Sequence, residues 1–210
     1  MTSKQLIIAT IEWFKTRGLD KANPVMQLPK LLEELGETVR AHRLNDVVDL
    51  VDGFGDQVVV LIGIMVQLGY SEDEIVNIFT EAENLLTYNH PDPFHAIVEN
   101  YGYLASDILR NTTSVDSFEM IIAVLITAIV NYSKLNIYQC LAQAYDEIKD
   151  RLGMVVDGIY IKAKDLSIPQ LIDLSARLTD DAQVTALWTL MESKVEGDMC
   201  ANGTCKIEVK

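Results

Sequence analysis

Residues 49–66 read DLVDGFGDQVVVLIGIMV, in which three aspartates lead directly into an uncharged apolar run. The apolar run, Val58–Val66, and its counterpart Met120–Val130 are both shorter than the roughly 18–20 residues that span a bilayer. We therefore expect two buried helices of a soluble protein. The aspartates raise the question of why carboxylates stand beside a core.

The spacing of apolar residues outside this stretch is helical. Leu28, Leu31 and Leu35 recur every three or four residues, and no segment shows a sustained alternation bounded by turn residues. Ser71 and Glu74 form the pattern of a capping box at a helix start. The predicted fold is all-α, with a proline-containing linker at 89–93 and helices near 3–17, 26–43, 46–68 and 72–87.

Composition limits the class of partner. The chain has 210 residues, of which 49% are hydrophobic, and its 17 Lys+Arg against 31 Asp+Glu leave a formal net charge of −14. A chain of this size can bury one sizeable core or two small ones. The negative charge opposes binding to nucleic acid or to an anionic membrane surface. The N-terminal residues lack a secretory-signal pattern, so we expect a cytoplasmic protein.

The layout of the first half returns in the second half at an offset of 66 residues. Without a gap, Val124–Ile126 falls on Val58–Val60 and Tyr145 falls on Phe79. This predicts two tandem repeats, residues 1–90 and 91–165, packed as an intrachain pseudo-dimer that buries both apolar central helices.

Four carboxylates of the first repeat have no counterpart in the second. The offset replaces Glu34 by Asn100, Glu37 by Tyr103, Asp52 by Phe118 and Asp56 by Ile122. A merely solvated face would be expected to keep some charge in the second copy. The loss therefore indicates a specific site in the first repeat.

The spacing of these acids would place each set on one face of a helix. Glu34 and Glu37 are three residues apart, and Asp52 and Asp56 are four apart. Like charges at these spacings repel, and a divalent cation would offset the repulsion. Hard oxygen ligands suit Mg²⁺, with Mn²⁺ also possible. The alternative, which the spacing leaves open, is a solvated acidic face on an acidic protein.

Residues 27–37, QLPKLLEELGE, and 52–56, DGFGD, together resemble the MazG-like all-α nucleoside triphosphate pyrophosphohydrolases, particularly their short phage-type members. Residues 144–153, AYDEIKDRLG, resemble the basic segment that closes the same domain. Two departures stand out: Gly53 occupies the position of a family glutamate, and the basic closing segment occurs only in the second repeat. The family's elements are thus divided between the copies, which predicts one composite site per chain.

The resemblance implies Mg²⁺-dependent hydrolysis of a nucleoside triphosphate to the monophosphate and pyrophosphate, in the cytoplasm of the cell or of a phage host. It implies metal ligands at Glu34, Glu37, Asp52 and Asp56, with Glu33 orienting the attacking water or acting as base. It further implies substrate contacts at Lys30, Lys149, Arg151, Gln27, Trp13 and Asn23. For the basic residues, ordinary pairing with nearby acids is the alternative. Trp13 could instead serve as a surface anchor.

Two other functions remain open at this point. A duplicated chain with a degenerate second copy could be a catalytically weak nucleotide-binding regulator or sponge, or a structural helical adaptor. Retention of all five acidic residues argues against the adaptor.

Residues 166–210 lie outside the resemblance. Two amphipathic stretches, around Leu174 and Leu187–Met191, predict a helical extension that could cover the bundle or mediate homo-oligomer formation. Cys200 and Cys205 near the end could form a small disulfide, contribute to a zinc site, or belong to a flexible tail.

Overall fold

The computed structural model describes residues 1–85, 92–156 and 159–201, with the backbone alone described at 159 and 196–201. It forms two compact units, Met1–Asp150 and Arg151–Lys210. Most of the predicted linker, residues 89–91, lies outside the described residues. The helices of both predicted repeats belong to the first unit.

The first unit is a bundle of helices. Those described are α1 Ser3–Thr16, α2 Leu28–Leu44, α3 Val47–Gln67, α4 Glu72–Asn84, α5 Pro93–Arg110, α6 Val115–Ser133 and α7 Ile137–Ile148. The four helices predicted for the first half are confirmed. Helix α2 begins two residues later than predicted because a short 3₁₀ turn, Pro24–Gln27, precedes it.

Local sequence explains where these helices start and stop. Thr2 and Ser71 each accept a hydrogen bond from the backbone N–H three residues later, and the N3 side chain bonds back to the cap. Asn45 and Asn111 end α2 and α5 with φ of 55°, a left-handed conformation that asparagine tolerates better than most residues.

Helix α3 is the centre of the first unit. It packs against α1, α2, α6 and α7, and Phe54, Val58 and Leu61 are fully buried. A Cβ on Gly63 would overlap the ring of Phe14, so this glycine lets α1 approach α3 closely. Full enclosure explains why the apolar run shows no polar face.

Helix α6 is the apolar helix of the second half. Within the described residues it is the one helix with the length and composition of a membrane span. Its Phe118, Ile122 and Leu125 are buried, and it packs against α3, α4 and α5. These buried side chains make α6 part of the core of the first unit.

The second unit contains a β-hairpin, which corrects the expectation of helix throughout. Strands β1, Gly153–Val156, and β2, Ile159–Lys162, pair antiparallel with Gly153 opposite Lys162. The sequence carried the signal, because Asp157-Gly158 between two apolar runs is typical of a two-residue hairpin turn. The fold is therefore mostly, but not purely, α-helical.

Two helices follow the hairpin, α8 Ile168–Arg177 and α9 Asp181–Ala201. They correspond to the two amphipathic stretches predicted for the extension. The core of this unit is small and includes Leu171, Leu187 and Met191. The backbone of Cys200 lies within α9, whereas Cys205 is outside the described residues.

Candidate carboxylate site

Helices α2 and α3 approach closely at Gly53. A Cβ at this position would overlap the hydroxyl of Thr38, so a larger residue would push the helices apart. Gln57 Nε2 donates to Thr38 Oγ1 at 2.7 Å and to the Gly53 carbonyl at 3.1 Å. Packing thus accounts for the glycine at this position, because a side chain there would overlap Thr38.

The amide of Gln57 also connects this contact to the second half of the bundle. Tyr101 of α5 is 3% exposed, and its hydroxyl donates to Gln57 Oε1 at 2.7 Å. Both polar ends of the buried glutamine are satisfied, as buried polar groups require. The network holds α2, α3 and α5 together one turn from Asp52.

Glu34 is the buried acid of α2. It is 1% exposed, and its Oε1 lies 2.5 Å from Lys30 Nζ. Its Oε2 is buried and has no hydrogen-bond partner among the described residues. Burial raises the pKa of Glu34; Lys30 opposes this rise, while the charges of Glu37 and Glu33 add to it.

Asp52 of α3 is the second carboxylate with a raised pKa and, in the described structure, an unpaired buried oxygen. Its Oδ1 is buried and likewise has no hydrogen-bond partner within the described ranges. Burial is the largest cause that raises the pKa of Asp52 from 3.8 to about 6, followed by the charge and hydrogen bonding of Glu147 and by the charges of Glu34 and Asp49. The raised pKa of Asp52 thus reflects its proximity to carboxylates on α2, α3 and α7.

Glu147 is a candidate site residue that the sequence pattern did not single out. It lies in the last turn of α7, which packs against α3 because Gly55 leaves room for the backbone carbonyl of Cys140. The repeat offset placed Glu147 on Glu81, an exposed acid, and so gave no reason to select it. Glu147 thus brings a carboxylate of the second half close to Asp52 of the first half.

A cleft of about 290 Å³ opens between α2 and α3 and is lined by Asp52 but not by Glu34. Its lining includes three carboxylates and one guanidinium, with small or apolar residues completing it. The lining residues are Glu37, Arg40, Ala41, Leu44, Asp49, Asp52 and Gly53. Arg40 is a second residue that the sequence analysis did not select.

The remaining predicted acids lie outside this cleft. Glu33 is exposed and bonds to Lys30 at 3.2 Å, and Asp56 is half-buried one turn beyond Asp52 on α3. Across residues 1–85, 92–156 and 159–201, no three His, Cys, Asp or Glu side chains stand in an arrangement that could hold a metal ion. The ligand set proposed from sequence would therefore need side-chain movement to converge.

The donor set nevertheless suits a hard cation. Two buried carboxylate oxygens, on Glu34 and Asp52, lack partners in the described structure, and neighbouring acids crowd both groups. Carboxylate oxygens are the ligands that Mg²⁺ and Mn²⁺ prefer. A bound cation would supply the partner that both oxygens lack.

The predicted basic contacts fall into different places. Lys30 pairs with Glu33 and Glu34, and Lys149, at the end of α7, bonds to Asp146 at 2.7 Å. Arg151 belongs to the second unit, where its carbonyl accepts a hydrogen bond from the Tyr160 hydroxyl. Lys30 and Lys149 thus follow the alternative of pairing with nearby acids.

Trp13 has a packing role in the structure. It is 9% exposed, its Nε1 donates to the Ile148 carbonyl at 2.8 Å, and the Arg17 guanidinium lies 4.4 Å from the ring centroid. These contacts cover the ring and join α1 to the end of α7. They leave little of the ring for stacking on a nucleobase.

The two polar residues predicted near Trp13 lie at helix starts. Asn23 caps the 3₁₀ turn by accepting from the Val25 N–H at 3.0 Å, which explains the residue by local structure. Gln27 is half-buried at the start of α2. Neither residue lines the cleft.

No family model, curated protein or solved structure matches this chain. The resemblance of residues 27–37, 52–56 and 144–153 therefore rests on the sequence of those residues alone.

Proposed function

We propose that the protein is a Mg²⁺-dependent nucleoside triphosphate pyrophosphohydrolase. The observation that carries the proposal is the pair of buried carboxylate oxygens, Glu34 Oε2 and Asp52 Oδ1, that lack hydrogen-bond partners in the described residues. Leaving buried polar atoms unpaired costs about 1–3 kcal/mol each. A site that binds a cation explains why such a cost is kept.

The metal would be held by Glu34 and Asp52, with Glu37, Asp56 and Glu147 as further candidate ligands. When bound, Mg²⁺ would offset the charge of the phosphates and of the leaving pyrophosphate. Glu33, exposed next to Glu34, would orient or deprotonate the attacking water. Lys30 holds Oε1 of Glu34 and so leaves Oε2 for the ligand.

The raised pKa of Asp52, about 6, makes ligand binding depend on pH. A metal binds the carboxylate and not the carboxylic acid, so binding would release a proton below this pH. Activity is expected to fall as the pH drops from 7 to 5.

The tandem-repeat proposal is supported by the helix bounds. Shifting α2, α3 and α4 by 66 residues gives 94–110, 113–133 and 138–150, which overlap α5, α6 and α7 closely. The last helix of each repeat also packs against the central helix of the other repeat, α7 against α3 and α4 against α6. Such exchange is expected of two repeats related by a pseudo-twofold axis, and it brings Glu147 to the acids of the first repeat.

A pyrophosphate-release screen over ribo- and deoxynucleoside triphosphates, with and without Mg²⁺, tests the proposal. Turnover that is lost in Glu34→Gln and in Asp52→Asn supports the enzyme. Tight nucleotide binding without turnover would instead support the regulator or sponge. Absence of both binding and turnover would contradict both functions.

A further inference from the structure

The cleft between α2 and α3 has a single basic residue in its lining. Arg40 lies on α2, three residues beyond Glu37, and shares the cleft with Asp49 and Asp52. In the described part of the chain it makes no salt bridge with these acids, and the ion pairs found there involve other cations, among them Lys4, Lys15, Lys30, Lys149 and Arg177. An exposed guanidinium with five donors thus borders an acidic cleft without being committed to its acids.

The two lysines of the first unit that were predicted to contact phosphate already form ion pairs. Lys30 is shared between Glu33 and Glu34, and Lys149 bonds to Asp146. Binding phosphate at either lysine would require breaking these ion pairs. Arg40 has no such competition, and its planar fork matches phosphate oxygens.

The size and lining of the cleft restrict what it can hold. About 290 Å³ lies at the lower limit of the roughly 300–1,000 Å³ of small-molecule pockets. Its apolar lining comes from Ala41 and Leu44, and no aromatic ring or side-chain amide lines it among the described residues. It offers charge for a polyphosphate but no surface for stacking or reading a base.

We propose that Arg40 binds the polyphosphate chain of the metal-bound nucleotide in this cleft and that the nucleobase lies outside it. The proposal deepens the proposed function and rests on it, because three carboxylates would repel phosphate unless a cation neutralises them. With Mg²⁺ bound by the carboxylates, the metal and Arg40 would both supply positive charge for the phosphates. Recognition is then directed at the triphosphate group that all substrates of this class share.

Isothermal titration calorimetry with inorganic tripolyphosphate and with α,β-methylene-ATP, each in Mg²⁺, tests the assignment. Arg40→Gln is expected to weaken both ligands by the same factor, about ten- to a hundredfold, as for loss of a charge-assisted hydrogen-bonded contact. Arg40→Lys keeps the charge without the planar fork, so its affinities for both ligands should lie between those of the wild type and of Arg40→Gln. Titration of Mg²⁺ alone should give a dissociation constant within about threefold of wild type.

Arg43→Gln is the matched control. Arg43 is exposed on the same helix one turn further on and does not line the cleft, so it carries the same charge with the same long-range field. At about 0.15 M salt, screening limits its effect to about twofold. Thermal unfolding checks that all three variants are folded.

Three outcomes would overturn the assignment. Equal losses in Arg40→Gln and Arg43→Gln would mean nonspecific attraction, and unchanged binding in Arg40→Gln would remove the contact. In both cases wild-type turnover and Mg²⁺ binding, measured in parallel, show whether the proposed function still stands. A wild-type protein that binds neither Mg²⁺ nor tripolyphosphate would overturn the proposed function together with this assignment.

Discussion

Replacing Asp52 by asparagine should make the metal-free protein more stable at neutral pH. Asn is nearly isosteric with Asp and carries no charge, so it removes the repulsion from Glu147 and Glu34 that contributes to the raised pKa. Its amide could also donate to the Glu147 carboxylate. A substitution at the centre of a proposed site would thus increase stability, which is the usual relation between strained sites and function.

The direction in which Asp52 changes stability with pH follows from proton binding. The folded protein holds the Asp52 proton up to about pH 6, whereas an unfolded chain releases it near 3.8. Between these values the folded state binds more protons, so its stability falls as the pH rises and stays reduced above about pH 6. The asparagine variant lacks this loss.

The magnitude follows from the same two values. A rise from 3.8 to about 6 corresponds to about 3 kcal/mol at about 1.4 kcal/mol per pKa unit. Asp52 is only partly buried, and solvent screening reduces this to about 1–2 kcal/mol. At pH 7 we expect Asp52→Asn to raise the free energy of unfolding by that amount, with a difference near zero at pH 4.

Urea denaturation between pH 4 and 8 in chelator measures this difference. The chain has two tryptophans; Trp13 is buried in the first unit and Trp188, in the second, is 52% exposed. A Trp188→Phe background therefore makes fluorescence report the unit that contains Asp52. Glu81→Gln, at an exposed acid of α4, is the control and should change stability by less than about 0.5 kcal/mol at every pH. A gain that does not vary with pH, or a loss of stability at pH 8, would refute the argument.

Three further predictions follow from the packing and from the carboxylates. Gly53→Ala should destabilise the protein by about 1–3 kcal/mol because its Cβ overlaps Thr38, whereas Gly36→Ala, on an open helix face, should stabilise it by up to about 1 kcal/mol; urea titrations compare the two. Trp13→Phe should lower the free energy of unfolding by about 1–3 kcal/mol because the hydrogen bond to the Ile148 carbonyl is lost. KM should stay unchanged at matched folded fraction; a large rise in KM would instead indicate that Trp13 contacts the nucleobase. Mg²⁺ at 100 times its dissociation constant should stabilise the wild type by about 2.7 kcal/mol, seen as a rise in Tm that Asp52→Asn loses; an equal rise in both proteins would place the ion elsewhere.

The sequence alone determined the helices of this protein, because their signals are local. Apolar residues three and four apart define the buried faces, and Ser71 marks a helix start that the structure confirms. The hairpin signal at Asp157-Gly158 was also local, and missing it was an error of interpretation. The spacing of Glu34, Glu37 and Asp52 likewise indicates, from local pattern alone, that acids stand beside the core.

Only the tertiary structure decided which of these acids are buried and which of them lie close together. Glu33 and Glu34 are neighbours in sequence, yet one is exposed and the other is buried, because adjacent residues point about 100° apart on a helix and only one direction faces α3. Glu147 reaches Asp52, and Trp13 reaches Ile148, through the packing of α7 against α3 and α1. Contacts between residues far apart in the chain depend on which helices pack together, and local periodicity carries no record of that choice.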